Sequence, residues 1–271
     1  METGVAIHTA ARRYCLERYA LWAERYAEIV RRGGDRERGG YHYTSEALST
    51  FPRYNILNAI RVELERIDPG ELRDVEAAKA RMIRAGETAN DEFTRKAIGG
   101  IDQRAIAEER AAFCGYIGGL SRADLSAVEP LLFRRVLTTD ESEAVWLRLR
   151  ERWQIPADSW YPLADGTPPG VVAFDAHAFG EAAPPDRLRG ILGRRGVERV
   201  WELREGGPEY EQDVSLFEPH YNGAEGYWSS EGLDWIVYAS HESSVTVGGW
   251  LLEEVKALWP AWQAHRGRGA F

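Results

Sequence analysis

Residues 225–249 read EGYWSSEGLDWIVYASHESSVTVGG. Two strands are expected here, Leu233 to Tyr238 and Ser244 to Val247, because β-branched and aromatic side chains pack well on a pleated surface. Between them lies Ala239-Ser240-His241-Glu242-Ser243, a dense polar turn and the leading candidate for a site.

Upstream, Val197 to Arg204 alternates in a way that fits a strand with one wet face. The turn Glu205-Gly206-Gly207-Pro208 returns the chain to Glu209–Phe217, an acid-rich partner strand expected at an edge. Val171 to Phe179 begins as a strand and holds His177 near its end. Leu131 to Leu137 is a further strand. The helix after it has a capping box from Asp140 to Glu143, carries Val145, Trp146, Leu149 and Trp153, and stops at Pro156. Trp160 to Leu163 is expected as a short edge segment and Asp165 to Gly170 as a turn. Pro184-Pro185-Asp186 leads into a short helix. Downstream, a helix from Trp250 to about His265 is bent or ended by Pro260. Strands joined by short polar turns favour hairpins, and the glycine fingerprint of a dinucleotide-binding fold is missing.

The first 117 residues read as helices. Cys15, Tyr19, Trp22, Tyr26 and Ile29 share one face of a helix from about Val5 to Arg32, while Arg18, Arg25 and Arg32 share another. A second helix is expected to open at Phe51-Pro52, and a third at Asp68-Pro69-Gly70-Glu71 with an interruption at Gly86. A short helix near Thr88–Thr94 and another over Asp102–Ile117 complete the set. The expected fold class is α+β: a bundle-like helical region, 1–117, then a mostly antiparallel or mixed sheet packed with helices on one side, 118–271, the boundary falling at Gly118-Gly119.

The chain of 271 residues carries a formal net charge of −9. Residues 1–117 hold 19 basic and 19 acidic side chains, and residues 118–271 hold 15 and 24, so the whole excess belongs to the second region. Such a balance repels phosphate backbones, which disfavours nucleic acid, and attracts a basic partner protein. Cys15 and Cys114 show no ligand or redox spacing and are expected as free thiols. No apolar run reaches the length of a membrane helix, and a cytoplasmic location is expected.

Three histidines lie in the second region, His177, His220 and His241, with Asp175, Glu218, Asp234 and Glu242 near them in sequence. The catalytic candidates are His241, Glu242, Asp234 and His220. Histidine acts as base or ligand near neutral pH, but no zinc-binding spacing and no nucleophile elbow accompany these residues. Neighbours on a strand face opposite ways, so Ser240 and His241 are poorly placed to pair. Asp234 with Glu231 or Glu242 is a carboxylate pair of the glycosidase kind, for which Trp228 and Trp235 would be platforms. The binding residues expected are Tyr221, Tyr227, Trp228, Glu225, Glu231 and Ser240, since aromatics in a polar rim anchor protein interfaces. The leading expectation is a non-catalytic, cytoplasmic protein-binding or regulatory protein that sequesters a basic effector through an acidic, aromatic-rich surface, without cofactor or metal. A homodimer through the helical region is a further expectation. The alternative is a hydrolase or other enzyme built on His241, Glu242 and Asp234.

Overall fold

The computed structural model describes residues 3–37, 39–40, 42–96, 100–156, 160 and 170–266. The chain divides into two units, Met1–Leu131 and Leu132–Phe271. The Gly118-Gly119 boundary expected from sequence therefore falls inside the first unit.

The first unit contains α1 (Thr3–Arg31), α2 (Ser45–Glu65), α3 (Val75–Thr88), α4 (Glu92–Arg95), α5 (Gly100–Gly119) and α6 (Arg122–Ser126). Its core joins Ile7, Ala10, Ala11 and Cys15 of α1 to Ile56, Leu57, Ile60 and Leu64 of α2, with Met82 and Phe113 alongside. The second helix begins earlier than the proline suggested, because Thr44 accepts the Ala47 amide and caps it, leaving Pro52 inside the helix. Asp68 caps only a single 3-10 turn, Pro69–Glu71, and α3 starts afresh at its own cap, Asp74. Gly86 does not interrupt α3. A Cβ there would stand 2.5 Å from the Phe113 ring, so glycine permits the close approach of α5.

Two buried carboxylates are neutralised within this unit. Glu65 receives Nε and Nη2 of Arg12 at 3.2 and 3.1 Å. Glu109 receives Nη2 of Arg18 at 2.9 Å and Nε1 of Trp22 at 3.1 Å. Removing one partner of a buried ion pair strands the other charge. Of this unit's two histidines, His42 is exposed, whereas His8 is buried with Nε2 2.9 Å from the Leu64 carbonyl.

The second unit contains β1 (Arg134–Val136), α7 (Thr139–Trp153), β2 (Val171–Asp175), α8 (Ala176–Ala182), α9 (Pro185–Arg194), β3 (Arg199–Arg204), β4 (Tyr210–Asp213), β5 (Gly226–Ser229), β6 (Trp235–Ser240), β7 (Ser244–Gly249) and α10 (Trp250–Leu258). The seven strands form one antiparallel sheet in the order β1-β4-β3-β5-β6-β7-β2. The fold class is thus α+β. The opening stretch holds three strands rather than two, since Gly226–Ser229 pairs with both β3 and β6. The acidic β4 is not an edge strand, because β1 pairs along its outer side. His177 lies on α8 rather than in a strand or loop. Pro260 lies between α10 and the 3-10 turn Trp262–His265. Most of the segments expected at Trp160–Leu163 and Asp165–Gly170 lie outside the described residues.

Helices cover both faces of the sheet, not one. Trp228, Trp235, Val237, Ala239, Val245 and Val247 pack with residues of α8, α9 and α10. Tyr227, Ile236, Tyr238 and Leu203 pack with Val145, Leu149 and Trp153 of α7. This explains why β6, WIVYAS, is buried at every position: a strand dry on both faces reads as a continuous run rather than an alternation. Nor is the expected wet face of β3 fully wet, since Glu202 is buried beside Arg204 Nε at 2.7 Å and Arg134 Nη2 at 3.7 Å.

Gly249 joins the sheet to α10 at φ 70 and ψ −153, a region open essentially to glycine. An added Cβ would stand 2.0 Å from the Asp234 carbonyl oxygen. Gly249→Ala should therefore destabilise the second unit by about 3 kcal/mol or more. Urea denaturation followed by tryptophan fluorescence checks this, because nine of the ten tryptophans follow Leu132.

His8 gives the first unit a pH dependence. Desolvation lowers its pKa from 6.5 to about 4, against the opposing Leu64 hydrogen bond. A depressed folded-state pKa contributes stability above pH 6.5, and that contribution is lost as pH falls toward 4. The wild type should lose about 3 kcal/mol over this window. In helix-detected denaturation series, His8→Gln should lack that component of the slope.

Candidate functional site

Burial of β6 on both faces leaves its chemistry to the strand ends. Where β6 leaves the sheet, the chain turns through residues 241–243, with Ser243 in the left-handed region at φ 53. Ser240 Oγ accepts the Glu242 amide at 2.9 Å and closes the turn. The Ser243 carbonyl accepts the Ala176 amide at 2.9 Å, tying the turn to the start of α8.

Glu225, just before β5, organises this end. Only 8% of the residue is exposed. One oxygen accepts the Tyr238 hydroxyl. The other accepts His241 Nδ1–H at 2.5 Å and faces the His241 amide at 3.4 Å. The tyrosine–carboxylate–histidine chain fixes the proton on Nδ1 and turns Nε2 outward, where it meets Glu242 Oε1 at 3.2 Å. The hydrogen bond to Glu225, followed by the charges of Glu225, Glu242 and Glu205, raises the His241 pKa. Burial and acceptance by Glu225 raise that of Tyr238, and burial raises that of Tyr227, stacked on it at 4.4 Å. Beside this chain lies a groove of about 430 Å³ whose lining includes His177, His220, Tyr221, Ser240 and His241.

The other sequence candidates are dispersed. Asp234 and His241 flank β6 at opposite ends, seven residues of extended chain or about 23 Å apart. Asp234 therefore cannot act with His241 or Glu242, nor can Asp234 and Glu242 flank one glycosidic bond. Trp228, expected at a binding surface, is only 2% exposed and packs in the core. Tyr227 is buried in the other core, and Ser240 is spent on its turn. Ser229 donates to the Trp235 carbonyl at 2.6 Å. Of the expected binding residues, Tyr221 and Glu231 are exposed. Among the described residues, no three His, Cys, Asp or Glu side chains gather as a metal site.

Glu231 belongs to a second groove, of about 630 Å³, that sequence reasoning missed. Its walls include Glu141, Glu198 and Glu211 with Arg135, Arg199 and Trp201. Arg135 is clamped by Glu141, at 2.7 and 3.0 Å, and by Glu211 at 2.8 Å. The clamp and the Thr138 cap hold Glu141 down to about 2. Arg199 is 3.4 Å from Asp213 and stacks on Phe133 at 3.9 Å. Both cations are thus already neutralised, while Glu198 and Glu231 have no ion pair among the described residues. Pairing of β1 with β4 assembles this groove, and neither strand advertises that pairing in its sequence.

No family model matches this chain, nor does any curated protein or solved structure show significant similarity to it.

If Glu225 sets the state of His241, Glu225→Gln should lower the His241 pKa. NMR titration of the histidine ring protons checks this. Tyr238→Phe, which removes one donor to the carboxylate, should cost about 1 kcal/mol of stability.

Proposed function

We propose that this chain is a non-catalytic, cytoplasmic binding protein that holds a basic segment of a regulatory partner protein in the groove around Trp201. The observation that carries this reading is the charge state of that groove: four carboxylates line it, and its two arginines are already paired. An incoming cation therefore meets a negative field, focused by low-dielectric walls, which steers association. Trp201 already accepts one guanidinium, that of Arg148 at 5.6 Å, and a partner arginine would add the same chemistry. The acid excess of residues 118–271 supports the same choice of partner. Free thiols at Cys15 and Cys114 are in keeping with a reducing compartment. The buried positions of Trp228 and Tyr227 shift the aromatic contribution to Trp201. The enzymatic alternative loses Asp234 to the far end of β6.

An arginine-rich peptide should bind the full chain with an affinity that falls as salt rises. The double reversal Glu198→Lys/Glu231→Lys should weaken it by about tenfold or more. The equal charge change Glu181→Lys/Glu253→Lys, placed on exposed residues outside the groove, should weaken it far less. Equal losses in the two variants, measured by calorimetry, would reduce the interaction to net charge and contradict the groove as its seat.

A further inference from the structure

The groove beside His241 has the make-up of a small-molecule site: an apolar floor, a few polar groups at the rim, and about 430 Å³ of space. Phe179, Leu188 and Val245 form the floor, each buried. His220 and Tyr221 face it from the loop before β5.

The surroundings of His241 indicate what such a ligand would carry. Its Nδ1–H is neutralised by the buried Glu225 carboxylate. Its Nε2 faces a second carboxylate, Glu242, at 3.2 Å. That second carboxylate is exposed and makes no other hydrogen bond or ion pair among the described residues, while its backbone amide is tied down by Ser240 Oγ. His241 Nε2 thus already carries one carboxylate, exposed and held by this single ion pair.

We propose that the groove binds a small free carboxylic acid with an aromatic or branched apolar body, the ligand carboxylate displacing Glu242 from His241 Nε2. The apolar body rests on Phe179, Leu188 and Val245, and the Tyr221 hydroxyl offers a further donor. Charge sets the conditions. Glu225, Glu242 and Glu205 act on His241, and Glu218 lines the same groove. His177 and His220 line it too, while the Tyr238 hydroxyl is committed to Glu225. An added anion is accommodated only when Glu242 swings away and His241 is protonated. This site is separate from the acidic groove and does not depend on the partner-binding reading.

The test is titration of benzoate into the full chain, followed by His241 ring resonances and calorimetry. Benzamide serves as the neutral isostere, and N-acetylphenylalanine presents the same group as a peptide terminus. Benzoate should bind saturably, more weakly as pH rises, and benzamide should not. His241→Gln should weaken binding by about tenfold or more. Glu242→Ala, by removing the internal competitor, should strengthen it by about threefold or more. Gly180 lines the groove and an added Cβ there meets nothing within 4 Å; Gly180→Leu should block binding while leaving the His241 titration in place. The proposal is overturned by no saturable binding at millimolar benzoate, by equal binding of benzamide, by unchanged affinity in Glu242→Ala, or by retained binding in Gly180→Leu. Tighter binding of N-acetylphenylalanine than of benzoate would overturn the assignment to a small acid in favour of a peptide C-terminus.

Discussion

Burial of β6 on both faces is the constraint on which the second unit depends. Trp235, Val237 and Ala239 point into the core under α8, α9 and α10, and Ile236 and Tyr238 into the core under α7. Each large side chain removed from water contributes on the order of 2 kcal/mol. A one-residue slip in pairing would exchange the two sets. The strand is thereby fixed in register, and the polar residues at its two ends are fixed with it. On β6 itself, chemistry is confined to those ends: His241 lies at the histidine groove, and Glu231, in the turn before β6, lies at the acidic groove, whose other walls include one face of β1, β4 and β3.

The two ends handle charge differently. At the His241 end, the nearly buried Glu225 carboxylate is hydrogen-bonded by Tyr238 and His241. In the acidic groove, the arginines are spent on Glu141, Glu211 and Asp213, so Glu198 and Glu231 have no ion pair among the described residues. Buried acids elsewhere follow the first pattern, with Glu65 and Glu109 held by arginines in the helical unit and Glu202 between Arg134 and Arg204 in the sheet. With the buried acids satisfied locally, the excess negative charge is left to the surface, where it can act on a partner.

Much of this was legible in the sequence. The helices follow from periodicity and the strands β6 and β7 from their β-branched and aromatic residues, whereas Ser240, expected at a binding surface, closes its own turn instead. The alternation of Tyr227 with Trp228 was harder to read, because both residues look equally suited to a surface. Only the pairing of β5 with β3 and β6 shows that each faces a different core. Glu225 looked like an acid on a binding rim, yet it orients His241 from sixteen residues away. The distance between Asp234 and His241 was hidden for a simple reason: nearness in sequence becomes separation in space when the connecting residues are extended. The acidic groove left no local signal, since its walls come from α7, β1, β3, β4 and the β5–β6 turn.

Hydrogen exchange of the full chain, with and without an arginine-rich peptide, tests the central claim most directly. The division of labour between the two ends of β6 predicts added protection at residues 196–201, 211 and 230–232, with none at 176–180 or 218–221. Protection centred on the histidine groove, or spread evenly over the acidic surface, would contradict it.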